Sequence, residues 1–163
     1  MNSGAIRPFA ARLAARLEKY RVDAVCGPLV EGAFVALLVS LELDCDFVYA
    51  QRFADTARGG LYPVEYRVPA VLEPAVRGKR LAIVNDVINA GSAVRGTFSD
   101  LQACGATIVA IGALLALGNA IGAFAAENQI ALELLKRMPN NLWSPAECPL
   151  CAKGQPLEIA GTS

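Results

Sequence analysis

The chain has 163 residues, 55% of them hydrophobic, and its 15 Lys and Arg are balanced by 15 Asp and Glu. This length suits one domain with a substantial core and is short for two. The even charge gives no reason to expect a nucleic-acid partner, and the absence of histidine removes the commonest general base and the commonest metal ligand.

The order of apolar segments predicts helices that alternate with strands. The first element is an amphipathic helix over 6–20, with Phe9, Leu13 and Leu17 on one face. Further helices are predicted at 33–43, about 91–104, about 119–126 and about 129–137. Strands are predicted at 22–27, 46–52, 64–69, 81–86 and 107–116. This alternation predicts an α/β fold, an open parallel sheet flanked by helices.

The segments between these elements indicate where a site would lie. Residues 1–140 are predicted to form the α/β domain, and 141–163 an irregular tail, rich in Pro and Cys, that packs on the domain or on a partner chain. Residues 53–63 form a polar, glycine-containing connection. Since ligands of open α/β sheets bind at the carboxyl ends of strands, we expect function in loops 27–32 and 86–92.

One segment raises the alternative of a membrane span. Residues 101–126 carry no charge, and GNAIG within them fits a small-xxx-small helix contact. Glycines and an asparagine interrupt the run where a buried strand and helix would begin and end, which favours a soluble protein. Residues 1–20 do not have the pattern of a signal peptide, so we expect a cytoplasmic protein with reduced thiols and no membrane partner.

The stretch LAIVNDVINAGSAVRG (81–96) joins the strongest predicted strand to a helix. Residues 89–92 lie where helix N–H groups lack partners and where small side chains let an anion approach. Ser92 either caps the helix or donates its hydroxyl to a phosphate oxygen. Asp86, just before this loop, suits sugar hydroxyls or a phosphate-bound Mg²⁺. The spacing suggests a ribose 5-phosphate site; the alternative is a tight strand–helix connection in which Asp86 only caps the turn.

These residues resemble the ribose-phosphate signature of type I phosphoribosyltransferases, most nearly the orotate phosphoribosyltransferases. The resemblance covers about residues 22–158 and includes VCGPLVEGAFVALLVSLELDCDFVYAQR and the tail LWSPAECPLCAKGQPLE. It implies that 5-phosphoribose passes from phosphoribosyl pyrophosphate, which carries Mg²⁺, to a nucleobase. In that reaction a base nitrogen displaces pyrophosphate at the anomeric carbon through an oxocarbenium-like transition state. The resemblance also implies a homodimer.

The resemblance assigns residues to the parts of such a site. Asp86 matches an acidic residue that contacts the ribose hydroxyls, with Asn85 beside it. The loop around the 5-phosphate is matched by Asn89, Ala90, Gly91, Ser92 and Ala93, with Val87 and Ile88 leading into it. The loop that meets pyrophosphate is matched by Gly27, Pro28, Leu29, Val30, Glu31 and Gly32. Glu31 touches the metal or a base, or is a surface charge, and Arg52 and Arg58 neutralise pyrophosphate or are solvated.

The chain also departs from the family's pattern. The first acidic position of the signature is Asn85, and Asn89 stands where threonine is usual. Orotate enzymes carry a lysine in a loop that closes over the site, but 53–63 has none. Those enzymes also place an arginine near the strand end occupied here by Gly118 and Asn119. Two hypotheses follow: an orotate-type transferase, or a ribose-phosphate or nucleotide sensor of the same fold that has lost catalysis.

The five cysteines give a weaker signal. Cys148 and Cys151 form a lone CxxC, which is half a zinc site, and two chains together could complete a four-thiolate site. Because the motif does not open a helix after a strand, a redox role is not expected either. Cys26, Cys45 and Cys104 have apolar neighbours and are predicted to be buried. We therefore expect no protein-held metal.

Overall fold

The computed structural model describes residues 3–54, 64–140, 143 and 146–155. Six strands form one sheet: β1 (Ala24–Pro28), β2 (Asp46–Ala54), β3 (Val64–Arg67), β4 (Arg80–Ile88), β5 (Thr107–Leu117) and β6 (Ala131–Met138). The strand order is β3-β2-β1-β4-β5-β6, and only the β2–β3 pair is antiparallel. The predicted open parallel sheet is therefore confirmed.

Helices cover both faces of the sheet. They are α1 (Ser3–Leu17), α2 (Glu31–Leu43), α3 (Glu73–Val76), α4 (Ser92–Ala103) and α5 (Ala120–Glu127), with short 3₁₀ turns at Glu18–Tyr20, Ala70–Leu72 and Cys151–Lys153. Buried side chains of α1 and α2 pack on one face, and those of α4 and α5 on the other. This is the layered arrangement that parallel strands require, since they are buried on both sides.

The centre of β4 shows why its sequence is a continuous apolar run. Leu81, Ala82, Ile83 and Val84 are all fully buried. Leu81 and Ile83 pack with the α4 and α5 layer, whereas Ala82 and Val84 pack with the α1 and α2 layer. A strand covered on both faces needs apolar residues at every position.

The predicted helix at 129–137 is wrong: this segment forms β6. Its Leu and Glu favour a helix by intrinsic propensity, but pairing with β5 overrides that preference. Leu132 and Leu134 pack against one core cluster and Leu135 against the other, which is the two-residue period of a strand.

The other predicted elements lie within a few residues of the observed ones, but two details differ. Phe9, predicted on the buried face of α1, is 48% exposed, and Ala10 is buried in its place. The short helices over 70–76 were not predicted.

Residues 101–126 divide into the end of α4, β5 and most of α5. Within the described residues, no helix has the length and apolar character needed to cross a membrane.

Burial affects all three thiols that lie in the folded domain. Cys26 and Cys104 are buried, as predicted, and burial raises the pKa of both. Cys45 was also predicted to be buried, but it is only half-buried, and desolvation raises the pKa of this thiol as well. These thiols are therefore poor candidates for thiolate chemistry.

A small polar cluster joins the 3₁₀ turn after α1 to β6. Lys19 Nζ lies 2.8 Å from Glu133 Oε1, and the Tyr20 hydroxyl donates to the same oxygen at 2.7 Å. Partial burial alone would raise the pKa of Glu133, but these two hydrogen bonds outweigh it and hold the pKa below its ordinary value of 4.5.

We expect Glu133→Gln to lower the free energy of unfolding at pH 7 by less than about 1 kcal/mol, because Lys19 is largely exposed. A carboxylate with a depressed pKa stabilises the fold above its unfolded-state pKa and loses that effect as pH falls through the folded value. Urea unfolding should thus give converging stabilities for variant and wild type below pH 4.5. A difference that grows towards acid would contradict this.

Candidate functional site

A crevice opens where the strand order reverses direction. Pairing between β1 and β4 stops at Cys26 and Ile83. Beyond this point β1 continues to Pro28 beside β2, whereas β4 continues to Ile88 beside β5. The carboxyl ends of the two strands thus separate, which is the usual position of a ligand crevice in an open α/β sheet.

Three adjoining cavities of about 560, 250 and 160 Å³ follow this crevice. The largest is lined by Leu29, Val30, Gln51, Arg52, Phe53 and Tyr66. The middle one is lined by Pro28, Leu29, Gly32, Tyr66, Asn85, Asp86, Val87 and Ala93. The smallest is lined by Asn85 and by residues 87–94. Because neighbouring cavities share lining residues, they form one cleft, and both predicted loops border it.

The loop before α4 has the form that a phosphate cradle needs. Gly91 precedes the helix with φ of +84°, a left-handed conformation that favours glycine. Its carbonyl accepts the Arg95 N–H at 2.9 Å, so the helix begins at Ser92. Asn89, Ala90 and Ser92 are exposed, which leaves the first-turn N–H groups of α4 open to an anion.

Of the two roles considered for Ser92, helix capping is not observed. Gly91 holds the cap position, and no side chain makes a capping hydrogen bond there. The Ser92 hydroxyl, at the first position of the helix, remains exposed.

Asp86 lies two residues before the end of β4 and borders the middle cavity. It is half-buried, and no group in the described part of the chain hydrogen-bonds its carboxylate. A carboxylate facing a cleft with open acceptor sites can take hydroxyl donors or a hydrated cation.

Asn85 is held quite differently from its neighbour. It is only 8% exposed, and its Nδ2 donates to the Val87 carbonyl at 3.1 Å. Its Oδ1 faces Gly32, where a Cβ atom would overlap it. The amide therefore braces the end of β4 against the start of α2 and also borders the cleft.

The predicted loop 27–32 is shorter than expected. Gly27 and Pro28 belong to β1, and Glu31 and Gly32 begin α2, so only Leu29 and Val30 form the turn. The Leu29–Val30 peptide bond is cis, and the Leu29 N–H donates to the Ala50 carbonyl at 2.9 Å. This turn borders both the largest and the middle cavity.

The structure describes only one of the two arginines that the sequence suggested for pyrophosphate binding. Arg52 lies on β2 opposite Tyr66 of β3, is exposed, and lines the largest cavity. Arg58 and the side chain of Glu31 lie outside the described part of the chain, as do residues 55–63 of the 53–63 connection.

Tyr66 is a cleft residue that sequence reasoning missed. It borders the largest and middle cavities, and its ring packs against Gly96 of α4, where a Cβ atom would lie 3.2 Å away. An aromatic residue in an edge strand carries no motif, so no sequence signal could have identified it.

Asn140 is the second residue missed. It follows β6, and its Nδ2 donates to Oδ1 of Asn89 at 2.7 Å. Its Cβ also lies 3.6 Å from the Cβ position of Gly118. Treating 129–137 as a helix hid this contact, because only a strand carries the chain to the carboxyl edge of the sheet.

We expect Asn140→Ala to weaken binding of an anion at the 89–92 loop by about 5-fold, because one neutral hydrogen bond contributes about 1 kcal/mol. Titration with ribose 5-phosphate would measure this. Asn128→Ala is the matched control, since its Nδ2 donates to the Phe124 carbonyl at the opposite edge of the sheet. Equal affinity for both variants would show that the Asn140–Asn89 hydrogen bond does not support anion binding at this loop.

The end of β5 has its own polar contact. Gly118 adopts φ of +67°, and Asn119 precedes α5. Arg137 of β6 donates from Nη1 to Asn119 Oδ1 at 2.6 Å. An arginine thus lies beside this strand end, although it is contributed by the neighbouring strand.

The chain is similar to known proteins in both sequence and fold. Orotate phosphoribosyltransferase of Thermotoga maritima is 27% identical over 150 residues, which span 92% of this chain and 73% of that protein. The adenine phosphoribosyltransferase structure from Thermoanaerobacter pseudethanolicus superposes with a TM-score of 0.69 at 17% identity, covering 84% of this chain and 82% of that one. The orotate phosphoribosyltransferase structure from Aeropyrum pernix gives a TM-score of 0.61 at 21% identity, covering 83% and 71%.

The two structures show a shared fold, which extends to enzymes named for different bases. The sequence profile of the phosphoribosyl transferase domain matches residues 5–137, which include every strand except the last residue of β6. The chain therefore belongs to the phosphoribosyl transferase domain family.

Proposed function

We propose that this chain transfers 5-phosphoribose from phosphoribosyl pyrophosphate to a nucleobase and releases pyrophosphate, as an orotate-type enzyme. One observation carries the proposal. The exposed N-terminus of α4 and the open carboxylate of Asp86 border the same cleft as the 29–30 turn. One crevice thus contains an anion cradle, a carboxylate that accepts hydrogen bonds from hydroxyls, and a second loop. This combination suits a phosphorylated sugar that carries a second phosphate group.

Each part of the cleft has a role in this proposal. The N–H groups at the start of α4 bind the 5-phosphate, and the Asp86 carboxylate accepts hydrogen bonds from the ribose hydroxyls. Residues 27–32 meet the pyrophosphate, with the Arg52 guanidinium across the largest cavity. These contacts fix the anomeric carbon for attack and keep the negative Asp86 near the positive charge that develops on the ribose.

Magnesium fits this site as a companion of the substrate. Among the described residues no cluster of three potential ligands occurs, and Asp86 offers one open carboxylate. Mg²⁺ commonly binds through one or two carboxylates together with substrate phosphates. When bound, it neutralises the leaving pyrophosphate.

Orotate is the acceptor we propose, and the resemblance to orotate phosphoribosyltransferases supports it. Gly118 and Asn119 offer no positive charge for the carboxylate of orotate, but Arg137 lies against Asn119. The adenine enzymes with the same fold make adenine the comparison base.

Release of pyrophosphate tests the proposal. Wild-type chain with phosphoribosyl pyrophosphate, Mg²⁺ and orotate should release pyrophosphate, and omission of Mg²⁺ should stop it. Turnover with adenine but not with orotate would refute the orotate assignment. It would still support the transfer of 5-phosphoribose to a nucleobase. No release with any nucleobase would refute the enzymatic proposal.

A sensor without catalysis is the second candidate, and Asn85 favours it. An amide at this position brings no charge to the site, and its Nδ2 is already engaged by the Val87 carbonyl.

Asn85→Asp separates the two candidates. The aspartate cannot donate to Val87, so we expect a loss of about 1–3 kcal/mol in stability and lower turnover than wild type. Asn128→Asp, which loses a comparable bond to Phe124, should leave turnover unchanged. An inactive wild type with an active Asn85→Asp variant would instead show that the natural site is a disabled enzyme, as the sensor hypothesis requires.

A further inference from the structure

The CxxC segment of the tail forms a defined turn. The Cys151 N–H donates to Cys148 Sγ at 3.4 Å, and the Ala152 N–H donates to the Cys148 carbonyl at 3.0 Å. The Gly154 N–H then donates to the Cys151 carbonyl at 3.0 Å, with Gly154 at φ of +66°. The backbone of the turn therefore directs an N–H group at the first sulfur.

This geometry suits a thiolate ligand of a soft metal ion. An N–H group that donates to sulfur stabilises the anionic form, which is the form that binds metal. Cysteines spaced by two residues are the usual donors of one half of a tetrahedral zinc site. Cys151 is exposed and Cys148 is half-buried, so neither sulfur is enclosed by the fold. The spacing of the two cysteines in the sequence does not reveal the hydrogen bonds of this turn.

Within the described residues, the chain does not complete such a site by itself. A structural zinc site needs four donors, and the whole sequence has five cysteines and no histidine. Cys26 and Cys104 are buried in the sheet core, and Cys45 lies before β2 at the amino edge. No third potential ligand joins Cys148 and Cys151 within the described residues.

We propose that Cys148 and Cys151 form half of a four-thiolate site for a thiophilic divalent cation of the Zn²⁺ class, completed by the same two cysteines of a second copy of this chain. A two-fold symmetric pair presents the same turn from both sides, so one ion closes the site. The homodimer expected from the family resemblance is thus joined at its tails. This site is separate from the cleft, and Asp86 remains the partner of the hard Mg²⁺ ion.

Metal content tests this proposal without reference to transferase activity. Full-length chain purified under reducing conditions, loaded with Zn²⁺ and dialysed, should retain one zinc per two chains at dimer mass. The Cys148→Ser/Cys151→Ser variant should retain none, whereas Cys45→Ser should retain the wild-type amount. With Co²⁺ alone as the probe, wild type should show the intense thiolate-to-cobalt absorption of a tetrahedral four-sulfur site.

Three results would overturn the proposal. The first is no retained zinc in wild type. The second is one zinc per chain at monomer mass. The third is zinc retention that the double serine variant does not reduce. Because these readouts need no nucleobase or phosphoribosyl donor, they stand or fall independently of the proposed transferase.

Discussion

Asp86→Asn is expected to lower kcat/KM for the phosphoribosyl donor by at least about 100-fold. In the proposed complex the carboxylate accepts two hydrogen bonds from ribose hydroxyls, and each bond to a charged group contributes about 1.5 kcal/mol or more. A total of about 3 kcal/mol corresponds to about 100-fold in rate. The side chain is half-buried with no hydrogen-bond partner among the described residues, so the near-isosteric change should leave folding intact.

Steady-state kinetics with pyrophosphate detection would measure the effect. Asp46→Asn is the matched control, because Asp46 begins β2 at the opposite edge of the sheet and pairs with Lys79 at 2.7 Å. That control should retain wild-type kcat/KM. An Asp86→Asn variant as active as Asp46→Asn would show that Asp86 does not bind the phosphoribosyl donor.

Gly27→Ala is expected to destabilise the fold by about 3 kcal/mol, through a clash that has no flexible side chain to relieve it. A Cβ at this position would lie 2.6 Å from Ala33 Cα and 2.6 Å from Ala36 Cβ. Helix α2 would have to move away from β1, and the 29–30 turn between them would move with it. In a domain of this size the midpoint of thermal unfolding should fall by about 6–12 °C.

Gly122→Ala provides the control for this prediction. Gly122 lies inside α5, and the nearest atom to its Cβ position is Arg137 Nη2 at 3.6 Å. Alanine is the better helix former, so this variant should be as stable as wild type or up to about 1 kcal/mol more stable. A Gly27→Ala protein that unfolds within about 2 °C of wild type would show that the helix–strand contact tolerates a methyl group.

Much of the fold could be predicted because local and global signals agree. This agreement holds for the apolar run of β4, the small-residue loop after it and the start of α4. In each of these segments the local pattern favours the same structure that burial and hydrogen bonding require. The same signals placed loops 27–32 and 86–92 at the carboxyl edge, and the structure brings both to one cleft. What they could not give was the length of β4, which extends beyond Asp86 because β5 still pairs with it.

The misses have a common physical cause, which is tertiary contact. The β6 segment has helix-forming residues, and only its place beside β5 makes it a strand. Once it is a strand, Asn140 reaches Asn89 and Arg137 reaches Asn119. Neither pair can be identified from one sequence, because the partners lie 51 and 18 residues apart and belong to no motif.

The central claim is that the crevice between β1 and β4 binds phosphoribosyl pyrophosphate through Asp86 and the start of α4. Calorimetric titration of wild type and Asp86→Ala with phosphoribosyl pyrophosphate, with and without Mg²⁺, tests it most directly. We predict micromolar binding that requires Mg²⁺ and is weakened at least about 10-fold by the substitution, since about 1.4 kcal/mol corresponds to tenfold in affinity. Absence of binding, or equal binding by the Asp86→Ala variant, would contradict the claim.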